Sequence, residues 1–255
     1  MQYSPALLHD PCHIIHGVIK LEKLRAYLCY SSVLICVFLF GALLYASFDE
    51  DNSVTVSSKP QPVIVIDAGH GGEDGGACAN GVLEKDVNLA IALQLRDMLR
   101  LSGYDVRMIR EEDISVYDSS ASTVREKKVS DMKNRAEIIN SSQNNILVSI
   151  HQNKFEQSKY SGAQMFYSKN DPRSEKLAES IRQSVTSLLQ PENNRELKAD
   201  SGNVYILKKA EVPAVIVECG FLSNENEAVL LADEKYQKKM AFAIMCGIIT
   251  FQSRQ

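Results

Sequence analysis

Hydrophobic and polar positions change their period several times along this chain, and each change predicts an element. Residues 26–48 form a stretch of 23 positions without a charge, long enough as a helix to cross a hydrocarbon core. Lys20, Lys23 and Arg25 precede it and Asp49, Glu50 and Asp51 follow it, so the positive-inside rule puts residues 1–25 in the cytoplasm and the bulk of the chain outside. The competing reading is a cleaved signal sequence. Its apolar region would be shorter, and only a poor small-residue cleavage site is offered near Ala46. Residues 49–61 are polar, with Pro60 near their end and Pro62 just beyond, and read as a linker.

From residue 62 onward the pattern alternates between short apolar runs and helical spacing. Val63–Ile66 is an unbroken β-branched run that ends in a glycine-rich turn, the pattern of a strand buried on both faces. Val87, Ile91, Leu95, Met98 and Leu99 then recur at helical spacing over 84–102, closed by Gly103. Further strands are predicted at 106–109, 146–150, 163–167, 204–207 and 214–217. Helices are predicted at 129–139 and 173–189, with a last one marked by Tyr236, Met240, Ile244, Ile248 and Phe251. Strands alternating with helices predict an α/β fold in residues 62–255, a mostly parallel twisted sheet with helices on both faces, preceded by one N-terminal transmembrane helix. The polar stretch 111–128 reads as a mobile surface loop.

Composition narrows the function. A net charge of −4 lacks the basic excess of a phosphate-reading surface, so no nucleic-acid partner is expected. Of six cysteines, Cys78, Cys219 and Cys246 follow the apolar stretch, an odd number without CxxC spacing. That excludes a disulfide scaffold and a zinc ribbon.

Beyond the apolar stretch only two histidines remain, His70 and His151, each placed just past the C-terminal end of a predicted strand. Glu218 also follows a strand, and Glu84 opens the first helix. In an open parallel sheet that edge is where ligands bind. Two imidazoles and a carboxylate suffice for a catalytic zinc with one open position, and a second carboxylate can shuttle protons. The separations of 14, 67 and 67 positions form no local motif, so satisfied rim histidines remain an equal reading at this point.

Four blocks carry a resemblance: Val63–Ala77 (VIVIDAGHGGEDGGA), Leu83–Asn88 (LEKDVN), Ser149–Asn153 (SIHQN) and Val217–Asn224 (VECGFLSN). They resemble the signature blocks of the zinc-dependent N-acetylmuramoyl-L-alanine amidases, from about Pro62 to the C-terminus. The resemblance implies Zn2+ held by His70, Glu84 and His151, Glu218 as the catalytic residue, and a peptidoglycan substrate. Asn153 and Arg135 are candidates for binding that substrate, Arg135 through the acidic peptide stem. Ala68 stands where many relatives have proline, and Gln152 with Lys154–Phe155 replaces a small-residue run, departures that touch substrate preference. Residues 125–135 and the anchored form are similar to the sporulation members of the family, which strip stems so that muramic lactam forms in spore cortex. This implies a membrane-anchored, extracytoplasmic domain between the forespore membranes, secreted if the N-terminus is cleaved, and a regulatory protein partner. The connection from Ser168 to Pro172 is too short for the helical insertion that occludes zinc in the division amidases.

Other readings of these residues are a phosphate cradle at Gly69–Gly72, which Glu73 and Asp74 oppose by charge, and a thiol nucleophile at Cys219, more simply a buried apolar residue. A membrane-tethered peptidoglycan-binding scaffold without turnover, and a zinc peptidase acting within the stem, are the alternative functions.

Overall fold

The computed structural model describes residues 27, 28, 30–42 and 61–255, and the chain divides into two units, Met1–Lys59 and Pro60–Gln255. In the first unit residues 30–42 are helical with exposed side chains. No helix among the described residues is long and apolar enough to cross a membrane. The rest of the expected span (26, 29 and 43–48), the segment before it and nearly all of the linker lie outside the described residues.

The second unit runs β1 (Val63–Ala68), β2 (Cys78–Ala79), β3 (Val82–Leu83), α1 (Glu84–Leu101), β4 (Val106–Met108), α2 (Val124–Ile139), β5 (Asn145–Asn153), β6 (Gln164–Tyr167), α3 (Arg173–Leu188), β7 (Lys198–Ala199), α4 (Tyr205–Lys209), β8 (Ala214–Phe221), α5 (Glu225–Ala232) and α6 (Glu234–Gln252). Six strands form one sheet in the order β4-β1-β5-β8-β6-β7, and β2 pairs with β3 in a small hairpin. Every neighbouring pair in the six-stranded sheet is parallel except β6 with β8. The expected mostly parallel α/β sheet is therefore the fold, with β6 and β7 reversed at one edge.

Strand alternation sends side chains to two cores. Ile64, Ile66, Val148, Ile150, Val215 and Val217 pack with apolar residues of α1, α3 and α6 on one face. Val65, Leu147, Ala214 and Ile216 pack with Ile139 of α2 and with Ile206 and Leu207 of α4 on the other. Helices thus cover both faces, and continuous β-branched runs are needed because neither face of a central strand meets water.

Three expectations change. Residues 204–207 are not a strand: Val204 is the N-cap of α4, which buries Ile206 and Leu207 beneath the sheet and ends on Lys208 and Lys209. A four-residue apolar run does not distinguish a strand from one helical turn, and basic residues in the last turn favour the helix. α2 begins at Val124, five residues before the expected 129, because Thr123 and Glu126 close a reciprocal capping box. The stretch 111–123 is not a free loop either. Asp113 accepts from Gly72 N and from Lys85 Nζ, Ser115 Oγ donates to Gly71 O, and Val116 N donates to Asp131, so it straps the glycine-rich turn after β1. The connection from β6 to α3 is five residues, as short as expected.

Candidate metal and proton-transfer site

The C-terminal ends of β1, β5 and β8 are adjacent in the sheet, so their last residues share one rim. His70 stands two residues past β1 in the left-handed region, at φ 62°, a conformation costly for a residue with a Cβ. The turn around it is glycine because imidazoles crowd the backbone. A Cβ on Gly69 would lie 2.2 Å from the His151 ring, and one on Gly76 would lie 2.6 Å from Glu84 Oε2 and 2.7 Å from the His70 ring. The glycines thus admit side chains, and the phosphate-cradle reading loses its basis.

Glu84 is the first residue of α1 and is buried. Its Oε2 accepts from Ala77 N at 2.7 Å. Its Oε1 accepts from Gln152 N at 3.2 Å and lies 2.9 Å from His151 Nδ1 and 3.2 Å from His70 Nε2. His70 Nδ1 in turn meets Asp74 Oδ1 at 3.1 Å. Burial works to raise the Glu84 carboxyl. The hydrogen bonds and charges of His151 and His70 outweigh it and hold the group well below the usual carboxylate range. Burial likewise works to lower His70, and its contacts with Glu84 and Asp74 reverse that, so its pKa is raised.

His70, Glu84 and His151 each offer a ligand atom, and these lie within 4.8 Å of one another, a group able to hold a metal ion. Glu218 sits directly across from His151 in the parallel pairing of β5 with β8. Both residues lie inside their strands and not beyond the ends as expected, because the ladder runs on to Asn153 and Phe221 through an irregularity at 151–153. One carboxylate oxygen of Glu218, Oε2, is buried with no hydrogen-bond partner among the described residues. Burial, reinforced by the nearby Glu84 charge, pushes this carboxyl up to about 7 against the opposing pull of His151 and His70. Its strand neighbour Cys219 is fully buried and burial pushes its thiol far up, which leaves the apolar reading and removes the nucleophile.

Arg135 does not have the part expected of it. It is buried, and each of its guanidinium nitrogens is engaged within the protein: Nη1 by Asp67 and Ala68 O, Nη2 by His70 O, Nε by Asp131. Its donors are spent on the turn that carries His70 and not on an acidic stem. Arg110, which sequence reasoning missed, does the same work from the other side. It is buried and donates to the carbonyls of Ala68, Gly69, Lys85 and Glu112. An isolated arginine after a short strand carries no sequence signal. Asp74, four residues after His70, is a carboxylate whose spacing could have signalled its contact with the His70 ring. Asn153 lies at the end of β5 and lines a cavity beside Glu218.

The description of the N-acetylmuramoyl-L-alanine amidase family matches residues 64–250, and the chain belongs to that family of cell-wall hydrolases. It is 37% identical over 199 residues to the germination-specific N-acetylmuramoyl-L-alanine amidase of Bacillus subtilis (strain 168), covering 78% of this chain and 82% of the relative. It is also similar to the CwlD amidase from Clostridioides difficile, solved in complex with the GerS lipoprotein, with 46% identity and a TM-score of 0.73 over 76% of this chain and all of that one. The amidase AmiC2 of Nostoc punctiforme shares 29% identity at a TM-score of 0.65, over 76% and 99% of the two chains.

Proposed function

We propose that this amidase holds zinc through His70, Glu84 and His151 and uses Glu218 to move the protons in hydrolysis of the bond between N-acetylmuramic acid and L-alanine. The observation that carries the reading is the pairing of a convergent His-Glu-His group with one buried carboxylate oxygen, Glu218 Oε2, that has no hydrogen-bond partner among the described residues. Buried polar atoms are normally satisfied, and an exception at such a site calls for an ion, a water or a reacting group. The donor set fits zinc, which takes two imidazoles and a carboxylate in catalytic sites. When bound, zinc supplies Lewis acidity, bringing the pKa of water from about 15.7 to about 7 and polarising the scissile carbonyl.

The chain's own residues do the rest. Asp74 at His70 Nδ1 holds that ring so that Nε2 points inward. Glu218 takes the proton of the attacking water at Oε2, and the new C–O bond forms as the carbonyl accepts electrons. Glu218 then returns the proton to the alanine nitrogen as the C–N bond breaks, because an amine leaves poorly unless protonated. A carboxyl shifted to about 7 suits both duties near neutral pH. The strap 111–123 and the two buried arginines keep the His70 turn in place during this exchange.

The biological setting follows from similarity. Likeness to a germination-specific amidase and to one solved with a lipoprotein supports a role in spore cortex maturation, with muramic lactam as the eventual product, and a regulatory protein partner. The uncharged stretch 26–48 after Lys20, Lys23 and Arg25 supports a membrane anchor with the enzyme outside the cytoplasm, between the forespore membranes. A full chain that a high-pH wash releases from membranes without detergent would remove the anchor.

Digestion of purified peptidoglycan with the full chain, followed by labelling of new amino termini, is expected to give alanine alone. A chelator should abolish the release and zinc should restore it. Labelled residues other than alanine would replace the reading with a peptidase acting inside the stem, and no new termini at all would leave a binding scaffold.

A further inference from the structure

Two cavities flank the site, and they differ in charge. One of about 200 Å³ adjoins His70 and Asp74 and extends over α2, where its cations Lys127, Lys128 and Arg135 face Glu73, Asp74 and Asp131. Lys127 Nζ already sits 2.9 Å from Glu73, and Arg135 is consumed by Asp67 and Asp131. The other, of about 270 Å³, is lined by Asn153, Gln164, Phe166, Arg195, Lys198 and Phe221, with Phe155 and Tyr160 at its side, and no carboxylate lines it.

This second cavity lies next to Glu218. Gln164 of β6 is the direct partner of Glu218 in the antiparallel pairing with β8, so the two side chains stand on the same face as neighbours. Arg195 is held there by design of the packing: its Nε and Nη2 donate to Gln164 Oε1 at 3.2 and 2.6 Å, and its plane lies 4.7 Å over the Phe221 ring. Its Nη1 makes no hydrogen bond, and neither Arg195 nor Lys198 makes an ion pair, among the described residues. Glu227 acts on Arg195 only at longer range, without an ion pair, so a held guanidinium and an ammonium remain in this pocket to meet a carboxylate.

We infer that the Arg195–Lys198 cavity is the leaving-group subsite of the enzyme, taking a free carboxylate of the acidic peptide stem. The inference rests on the amidase reading and deepens it. The group that protonates the alanine nitrogen must stand beside that nitrogen, so the stem extends from the Glu218 side of the site and the muramic acid from the His70 side. The stem carries carboxylates, and the cavity on the Glu218 side is the one whose cations form no ion pair among the described residues. Arg195 and Lys198 therefore set specificity for stem charge.

The test compares the full chain, zinc-loaded, on two disaccharide-peptide substrates that differ only in whether the stem carboxylates are free or amidated. Amidation is expected to raise KM about tenfold with kcat within about twofold, the usual worth of a charge-assisted hydrogen bond. Arg195→Gln and Lys198→Gln should each raise KM for the free stem and shrink the gap between the two substrates. Arg195→Lys should restore part of the gap, and the exposed Lys198 guards against a folding defect at Arg195. A gap that survives in both glutamine variants, or that vanishes in Lys127→Gln or Lys128→Gln instead, overturns the subsite while leaving the amidase reading intact. Absence of a new alanine terminus from either substrate overturns the amidase reading beneath it.

Discussion

At Glu218 stability and function pull apart. Its carboxylate is carried on a central strand, one oxygen without a hydrogen-bond partner among the described residues, and shifted to about 7 by burial and by Glu84. Glu218→Gln removes a charge that folding had to desolvate, so thermal stability should be unchanged or higher. Zinc content, measured on purified protein, should also be unchanged, and turnover should drop by about 10² to 10⁴. Loss of the metal in this variant would show that Glu218 is a ligand. Asp67 presents the opposite case. Burial works to raise it, but the charge of Arg135, then that of His151 and the Ser149 hydroxyl at 2.7 Å, prevail and hold its carboxyl below the usual carboxylate range. A lowered folded-state pKa gives stability that is present above about pH 4 and is lost as the pH falls through the folded value. Thermal melts from pH 7 downward should therefore show the wild type losing stability below about pH 4. Asp67→Asn should start about 1–3 kcal/mol lower, since buried Arg135 keeps Asp131 but loses its charged partner on β1, and should depend less on acid. An acid limb of equal steepness in both proteins would remove Asp67 from this account.

At the scale of elements, the close approach of α6 to α3 is made at Gly247. A Cβ there would lie 2.5 Å from the Ile181 backbone Cα and 2.9 Å from Ser180 O, with no flexible side chain to yield. Gly247→Ala should force the helices apart at a cost of about 1–3 kcal/mol. That corresponds to a fall in Tm of roughly 2–4 °C per kcal/mol for a unit of this size. Activity per folded molecule should be kept, because this contact is on the sheet face away from Glu218. An unchanged Tm in a thermal melt would mean the helices slide without cost. The same scale explains why α2 and α4 were misjudged from sequence. α2 was drawn from its apolar positions Met132, Ala136 and Ile139, but its start is decided by Thr123 and Glu126, a polar capping signal outside that stripe. α4 carries only one apolar turn, and whether Val204–Leu207 extends or coils depends on the sheet face it must cover.

At the scale of the molecule, the five-residue connection from β6 to α3 leaves no room for a helix folded over the site. The β6–α3 connection itself therefore does not cover the site, and the proposed spore-cortex role is tested in the host. Deletion of the protein in a spore-forming host should leave vegetative growth intact and give spores that lack muramic lactam and fail to complete germination. Muropeptide analysis of the cortex checks this, and growth as unseparated chains of cells would assign the enzyme to division instead.

The ligand candidates were legible because topology alone collects them. A chain of alternating buried strands and amphipathic helices must bring the ends of its parallel strands to one edge, so His70, His151 and Glu218 could be placed together from residue order, and Glu84 from its position at the first helix start. The signature blocks then named the chemistry. Side-chain direction and competition for partners were not legible, because they depend on contacts between residues far apart in the chain. Arg135 reads from the sequence as a stem-binding candidate and is locked to Asp67, 68 positions away. Arg110 looked ordinary and holds the carbonyls of Ala68 and Gly69. Arg195 carries no sequence signal and, 31 positions from Gln164, bonds to that strand partner of Glu218. Which cation is spent on the fold and which is left for a substrate is a matter of packing, since burial strips water from a charge and obliges the protein to satisfy it, while the same charge at the rim keeps its donors for a ligand.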